Sequence, residues 1–213
     1  MQVVIGRKSE ALNKQTEIDM YRLRYQVFRE RLGWEVPVIG EMEKDHFDDC
    51  NPIYIAIRNH QKELAACARI LPSEGPTMLQ DIFPQLLYGK TMPTGPKIWE
   101  LSRFAVSKQA IGRCGFTGVP IRLIQAIVGL ADEMGLEQYL AVTSAGFERM
   151  LVKLGVPCIR FGEPMQVGIE KTVAFTVPVN DQLRQAAFGD QTLTILDEME
   201  RRQKEQPTLK EAA

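Results

Sequence analysis

Hydrophobic positions along the 213-residue chain recur with two different periods, and the way the periods alternate outlines a fold. Met20, Leu23 and Val27 repeat at helical spacing and predict a helix over residues 10–32. Residues 2–6 suit a short strand. Residues 53–58 and 63–71 predict an antiparallel pair joined through Asn59-His60-Gln61-Lys62. A short helix is expected over residues 78–83, and a strand around Trp99-Glu100-Leu101-Ser102-Arg103-Phe104. The stripe Ile124, Ile127, Val128 and Ala131 marks the buried face of a further helix, with Pro120 suited to its first turn and Gly135 to its close. Residues 137–143 read as a strand, 146–154 as a helix stopped by Gly155, and 156–161 and 171–179 as strands. Residues 33–52 combine Gly33, Pro37, Gly40 and Pro52 with acidic side chains and no period, which reads as a long, functional or mobile loop. A second loop spans 89–96. Strands alternating with helices predict an α/β fold, a single-domain mixed sheet flanked by helices over residues 1–190. Residues 191–213 read as a charged tail, a frayed helix that gives way to disorder from Pro207.

Composition narrows the class without naming an activity. Apolar content of 45% and charged content of 25% are those of a soluble globular protein. A formal charge of -1 argues against broad nucleic-acid binding. Cys50, Cys67, Cys114 and Cys158 lie far apart and have only His46 and His60 to help them, which fits neither a metal site nor a disulfide framework. Reduced thiols in the cytoplasm are the expectation. The N-terminus is too short in apolar residues for a signal peptide, and no run approaches the length of a membrane span.

Candidate chemistry concentrates in two stretches. Alternation along a strand places Glu100 and Ser102 on one face, out of step with Leu101 and Arg103. The flanking Ile98, Trp99, Phe104, Ala105 and Val106 are apolar, so a carboxylate, a hydroxyl and a guanidinium lie in or beside a core and need partners. On this stretch alone a structural Glu–Arg pair and a functional site stand equal. Arg24 and Phe28 are four apart at the edge of the first helix's apolar stripe, so their side chains meet. They read as a pocket wall or as an arginine snorkelling over apolar surface. The turn over residues 112–118, rich in glycine and followed by a helix, offers backbone amides to a phosphate or pantetheine, though glycine there also serves conformation alone.

The ordered set Arg24-x3-Phe28-x5-Trp34-x10-Asp45-x2-Asp48, with Arg69, Phe83 and Glu100-x-Ser102-Arg103, resembles the signature of the acyl-homoserine-lactone synthases, the autoinducer synthases of bacterial quorum sensing. Arg31-Leu32-Gly33-Trp34-Glu35-Val36 and Cys67-Ala68-Arg69-Ile70-Leu71-Pro72 look like that family as well, and the resemblance runs over residues 1 to about 180. It implies an acetyltransferase-like (GNAT-like) fold and an acyltransferase that uses S-adenosylmethionine as a substrate, with no separate cofactor or metal. The acyl chain arrives in this family as a thioester on acyl carrier protein, or in some members on coenzyme A. The products are an N-acyl-homoserine lactone and methylthioadenosine.

The resemblance implies roles for particular residues. Glu100 is the expected general base that frees the amine of its proton, Ser102 a hydrogen-bonding partner of substrate or water, and Arg103 their anchor. Arg24, Phe28, Trp34, Asp45, Asp48, Arg69, Phe83 and Arg103 are expected to bind substrate, with aromatic faces for the sulfonium and arginines for the carboxylate. Glu41, Glu43 and Asp49 read as solvated loop acids. Leu140, Ala141, Val142, Thr143, Phe147, Met150 and Leu151 are expected to line the acyl chain. Alignment places Ala141 where a threonine accompanies 3-oxo preference, which points to an unsubstituted chain; a shift of two residues would put Thr143 there. Arg149, Lys153 and Arg160 form an expected docking patch for the acidic carrier protein or, equally, an ordinary solvated face. Ser102 lacks the glycine-flanked elbow of a hydrolase nucleophile. Two readings from other classes stay open: a coenzyme-A-dependent N-acetyltransferase, and a silent module that binds a small ligand.

Overall fold

The computed structural model describes residues 1–8, 12–111 and 118–189. The turn over residues 112–117, Cys114 and the tail beyond residue 189 lie outside the described residues. Asn13 opens the first helix by accepting a hydrogen bond from the Thr16 amide at 2.8 Å, so α1 runs Lys14–Arg24 rather than from residue 10. The chain continues without a break into a π-helical turn, Tyr25–Arg31. That wider turn changes the spacing on which the Arg24–Phe28 pairing relied.

Among the described residues, eight strands build one mixed sheet: β1 (Gln2–Gly6), β4 (Ile53–Arg58), β5 (Leu64–Pro72), β6 (Ile98–Val106), β7 (Gln138–Ser144), β10 (Glu170–Pro178) and β8 (Ile159–Arg160) in spatial order, with β9 (Met165–Val167) also on β10. The expected loop over residues 33–52 is more ordered than its composition suggests. It holds a small hairpin, β2 (Val38–Ile39) and β3 (Met42–Glu43), turning at Gly40 with φ +60°, and a 3-10 turn, His46–Asp49. The remaining helices are α2 (Met78–Asp81), a 3-10 turn (Pro84–Leu87), α3 (Lys108–Ile111), α4 (Val119–Met134), α5 (Ala145–Lys153) and α6 (Asp181–Phe188). None of the described helices is long and apolar enough to cross a membrane.

Two cores follow from the strand alternation. Ile55, Ile57, Ala66, Ala68 and Ile70 meet Leu123, Ile127, Val128 and Ala131 of α4 on one face. Tyr54, Ala56, Cys67 and Ala105 meet Met20, Leu23 and Val27 on the other. Pro120 sits in the first turn of α4, and Gly135 closes it at φ +62°, its amide donating to Ala131 and Asp132 carbonyls. Burial pushes the Cys67 thiol up to about 12, so this sulfur packs rather than reacts.

All pairings in the sheet are antiparallel except β6 with β7, and that seam is where the sheet opens. The parallel register ends at Leu101↔Ala141. Beyond it β6 stays on β5 as far as Ala66↔Val106, while β7 stays on β10 as far as Ser144↔Thr172. The two halves diverge and leave a cavity of about 840 Å³ between them. Leu123 is fully buried in α4, below the same half of the sheet. Leu123→Ala should cost about 2–5 kcal/mol through lost burial and a residual void. The urea midpoint measures this, with the m-value unchanged.

Candidate active site

Arg103 enters the site through a backbone irregularity. It has φ +52°, and the β5–β6 register shifts between Cys67 and Arg69. Such a bulge adds one residue and inverts the alternation. Trp99 and Leu101 face the α4 core before it; afterwards Phe104 and Val106 do, while Ala105 faces α1. Strict alternation would have carried Arg103 to the α4 face. The bulge returns it to the side of Glu100 and Ser102.

On that side, among the described residues, three guanidinium groups and three carboxylates interlock. Arg24 donates in a fork to Asp48 at 2.7 and 2.9 Å and through Nε to Glu43. Arg69 reaches both oxygens of Asp45, Asp48 Oδ1 at 2.9 Å and Ser102 Oγ at 3.1 Å. Arg103 Nη2 donates to Glu43 at 2.9 Å and to Asp45 at 2.7 Å. The Tyr54 hydroxyl adds a bond to Asp48 at 2.7 Å, and the Asp45 amide closes the 3-10 turn on Asp48 at 2.9 Å. Burial by itself would raise the Asp48 carboxyl, but the hydrogen bonds and charge of Arg24, then Arg69, hold it well below the usual carboxylate range.

Glu43 is the residue that the sequence reading misplaced. It is completely buried and binds both Arg24 and Arg103, so it is no solvated loop acid. The signal was present, since Glu43 and Asp45 are two apart in extended chain and therefore share a side. Glu41 and Asp49 are exposed, as a loop acid should be. Arg24, Asp48 and Arg69 do not reach the cavity wall: they stand behind it, spent on ion pairs. Nor does Arg24 lie on Phe28. Its guanidinium is 5.2 Å over Tyr21, and Arg103 is the cation 5.5 Å over Phe28.

Phe28, Trp34, Asp45, Phe83, Glu100, Ser102 and Arg103 do line the cavity. Phe28 and Trp34 stack with ring centroids 5.3 Å apart and an interplanar angle of 15°. Glu100 is oriented by the amides of Met78 at 2.9 Å and Leu79 at 2.7 Å, the first two residues of α2. Burial pushes its carboxyl above the ordinary value, while the Leu79 and Met78 amides, then Arg69 and Arg103, draw it back. Burial likewise lowers Arg103, with Glu43 opposing. A buried carboxylate with a raised proton affinity, beside a hydroxyl and a cation at a cavity wall, is equipped to take a proton from a bound amine.

The cavity continues past β7 into apolar surroundings. Ala141, Val142, Thr143, Phe147 and Leu151 line it there, joined by Phe104, whose ring lies 5.3 Å from that of Phe147. Leu140 and Met150 do not. Leu140 shares a face of the sheet with Glu100 and Val142 but is fully buried there among Leu79, Leu86 and Ala174, which cover it from the cavity. Arg149 and Lys153 are exposed on α5, while Arg160 is tied to the buried Glu148 at 2.8 and 2.9 Å.

The ion-pair cluster carries a pH signature. Asp48 has a depressed folded-state pKa, so its contribution is present above the unfolded value of about 3.9 and is lost as pH falls below it. Asp48→Asn should destabilise the protein by about 3–5 kcal/mol at pH 7, because Arg24 and Arg69 lose a buried partner. Urea titrations across pH should show that deficit holding down to about pH 4 and shrinking below it.

Comparisons with known proteins agree with this geometry. The family model described as autoinducer synthase matches residues 8–187. An acyl-homoserine-lactone synthase of Pseudomonas aeruginosa is 39% identical over 191 residues, covering 89% of this chain and 94% of that protein. The crystal structure of the acyl-homoserine-lactone synthase LasI superposes with a TM-score of 0.81 at 38% identity, over 88% of this chain and 94% of that one. That of TofI, in a ternary complex with an inhibitor and MTA, gives 0.75 at 31% identity, over 91% of this chain and all of that one. A protein described as an N-acetyltransferase, from Lactobacillus plantarum, shares the fold alone, at 13% identity and a TM-score of 0.57. With a family match across nearly all the described residues and a relative covered almost end to end, the chain belongs to the autoinducer synthases, the enzymes that make acyl-homoserine lactones.

Proposed function

We propose that this synthase acylates the amine of S-adenosylmethionine from an acyl-carrier-protein thioester with an unsubstituted chain, then closes the lactone and releases methylthioadenosine. One observation carries the reading: a single cavity runs from the Glu100, Ser102 and Arg103 cluster to an apolar end at Phe147 and Leu151. One substrate is small and charged, the other long and apolar, and their reacting atoms meet where the two regions join.

S-adenosylmethionine presents three groups to the charged end. The stacked Phe28 and Trp34 offer an aromatic surface to the sulfonium and adenine, and Arg103 offers a cation to the carboxylate. The ammonium must lose a proton before it can attack. Each Glu100 oxygen accepts one backbone amide and keeps a second lone pair, so the carboxylate takes that proton directly or through a water. The neutral nitrogen attacks the thioester carbonyl, the C–S bond breaks, and the carrier leaves as its thiol with the proton that the nitrogen gives up on becoming an amide. The carboxylate oxygen then displaces methylthioadenosine from the carbon beside sulfur, a step that depends on folded-back geometry. Arg24, Arg69 and Asp48 serve this site from behind by holding Asp45, Glu43 and Ser102 in place.

The other half of the cavity supports the reading of donor and chain. Arg149 and Lys153 are exposed on the outer side of the helix whose other side places Phe147 and Leu151 in the cavity wall, so an acidic carrier drawn to them would sit beside the apolar end of the cavity. Arg160 is spoken for by Glu148 and adds less. Ala141 pairs with Leu101 at the last position of the β6–β7 register, on the α4 side of the seam, whereas Thr143 lies two residues farther along β7, where β6 has diverged. A 3-oxo carbonyl close to the reacting carbon would find a methyl group rather than a hydroxyl. Among the described residues Cys50, Cys67 and Cys158 are free thiols, which supports a cytoplasmic location.

Four measurements test these readings. Glu100→Gln should fold and bind yet lose ~10²–10⁴-fold in lactone formation, and the acid limb of the wild-type kcat/KM should titrate above about 4.3, the free glutamate value. Near-normal turnover of a folded Glu100→Gln enzyme would overturn the base. Arg149→Glu with Lys153→Glu should raise KM for acyl carrier protein and spare that for S-adenosylmethionine; an unchanged carrier KM removes docking from α5. In competition at equal chain length the unsubstituted donor should win by about 1–3 kcal/mol in kcat/KM, the cost of an unpartnered buried carbonyl, and preference for the 3-oxo donor would reverse the assignment.

A further inference from the structure

Met78 occupies a position that the reaction as described leaves unused. Its side chain is 8% exposed and forms part of the cavity wall, yet its sulfur is not packed as an ordinary core atom. Arg69 Nη2 approaches it at 3.2 Å and Arg103 Nη1 at 3.1 Å, so one thioether accepts from both guanidinium groups. The same residue's amide donates to Glu100 at 2.9 Å. A single residue therefore touches the candidate base through its backbone and two cations through its side chain.

The donors of Arg103 are otherwise committed to Glu43 and Asp45. Those carboxylates hold one edge of the guanidinium, and the remaining nitrogen, Nη1, gives one of its two hydrogens to Met78. Arg69 is completely buried and fixed by Asp45, Asp48 and Ser102, so the sulfur ties the cavity-lining arginine to an immobile neighbour. A thioether does this without charge. In the cluster three guanidinium groups already face Glu43, Asp45 and Asp48, and a fourth carboxylate at the Met78 position would over-neutralise Arg103 and repel an anionic substrate. An aliphatic side chain of the same size would remove that acceptor and the tie to Arg69, and leave the Nη1 end of the guanidinium less firmly fixed.

We infer that Met78 is a positioning residue for substrate recognition: its sulfur holds the Arg103 guanidinium in the orientation that receives the carboxylate of S-adenosylmethionine. This rests on the proposed use of Arg103 as the carboxylate partner. Sulfur is a weak acceptor, so the energetic effect belongs to two modest hydrogen bonds aimed by a rigid frame.

Steady-state kinetics of Met78→Leu, Met78→Gln and Arg103→Lys test it. Leucine conserves volume and removes the acceptor; glutamine restores a neutral oxygen acceptor on a side chain of similar length. Met78→Leu should raise KM for S-adenosylmethionine about three- to tenfold, leave KM for the acyl donor within twofold, and melt with the wild type. Met78→Gln should recover most of the lost affinity. An unchanged S-adenosylmethionine KM in Met78→Leu, an equal rise in both KM values with a lower Tm, or a glutamine variant no better than leucine would each overturn the inference. Arg103→Lys separates it from the reading beneath. If Arg103→Lys leaves the S-adenosylmethionine KM untouched, arginine recognition of the carboxylate fails; if Arg103→Lys raises it and Met78→Leu does not, only the role of Met78 fails.

Discussion

Glu43, Asp45 and Asp48 are what allow three arginines to share one side of the sheet. Guanidinium groups cannot be neutralised by losing a proton, so burying Arg24 and Arg69 requires carboxylates at hydrogen-bonding distance. Those carboxylates come from one short segment, the β3 strand and the 3-10 turn after it, which the ion pairs pin against α1, β5 and β6. The pinned segment then forms part of the cavity wall. Order in an otherwise irregular stretch and shape in the site arise from the same bonds.

The site needs a second device, because a sheet with intact pairing has no room for a long substrate. Here the β6–β7 register stops at Leu101↔Ala141, and the Arg103 bulge lies just beyond it. The bulge bends β6 along β5 and aims Arg103 at Glu43 and Asp45, while β7 keeps its partner β10. One extra residue in one strand thus accounts for the direction of a functional side chain and accompanies the opening that gives it a substrate.

Division of labour within the cluster explains why so many polar residues are needed around one base. Arg24, Arg69 and Asp48 never reach the cavity. They hold Asp45, Glu43 and Ser102, and the first two in turn frame Arg103. Glu100 is kept in place by the α2 amides rather than by a cation in direct contact, so burial can raise its proton affinity and suit it to proton transfer.

Much of the architecture was legible in the residues. The Ile124, Ile127, Val128 and Ala131 stripe, closed by Gly135, became α4, and the runs flanking Asn59-His60-Gln61-Lys62 became β4 and β5, because apolar period is a local property that packing rarely overrides. The spacing of Arg24, Phe28, Trp34, Asp45, Asp48 and Glu100 likewise marked the family. Local pattern could not separate residues that face the cavity from those that stand behind it. Composition put Glu43 with the exposed Glu41, though only Glu43 is buried, since burial of an acid is decided by arginines 19 and 60 residues away in sequence. The inverted alternation at Arg103, the covering of Leu140 by Leu79 and Leu86 and the sulfur of Met78 between two guanidinium groups depend on strand register and on which elements meet across the sheet. Those are long-range matters of packing and charge pairing, and tertiary structure alone decided them.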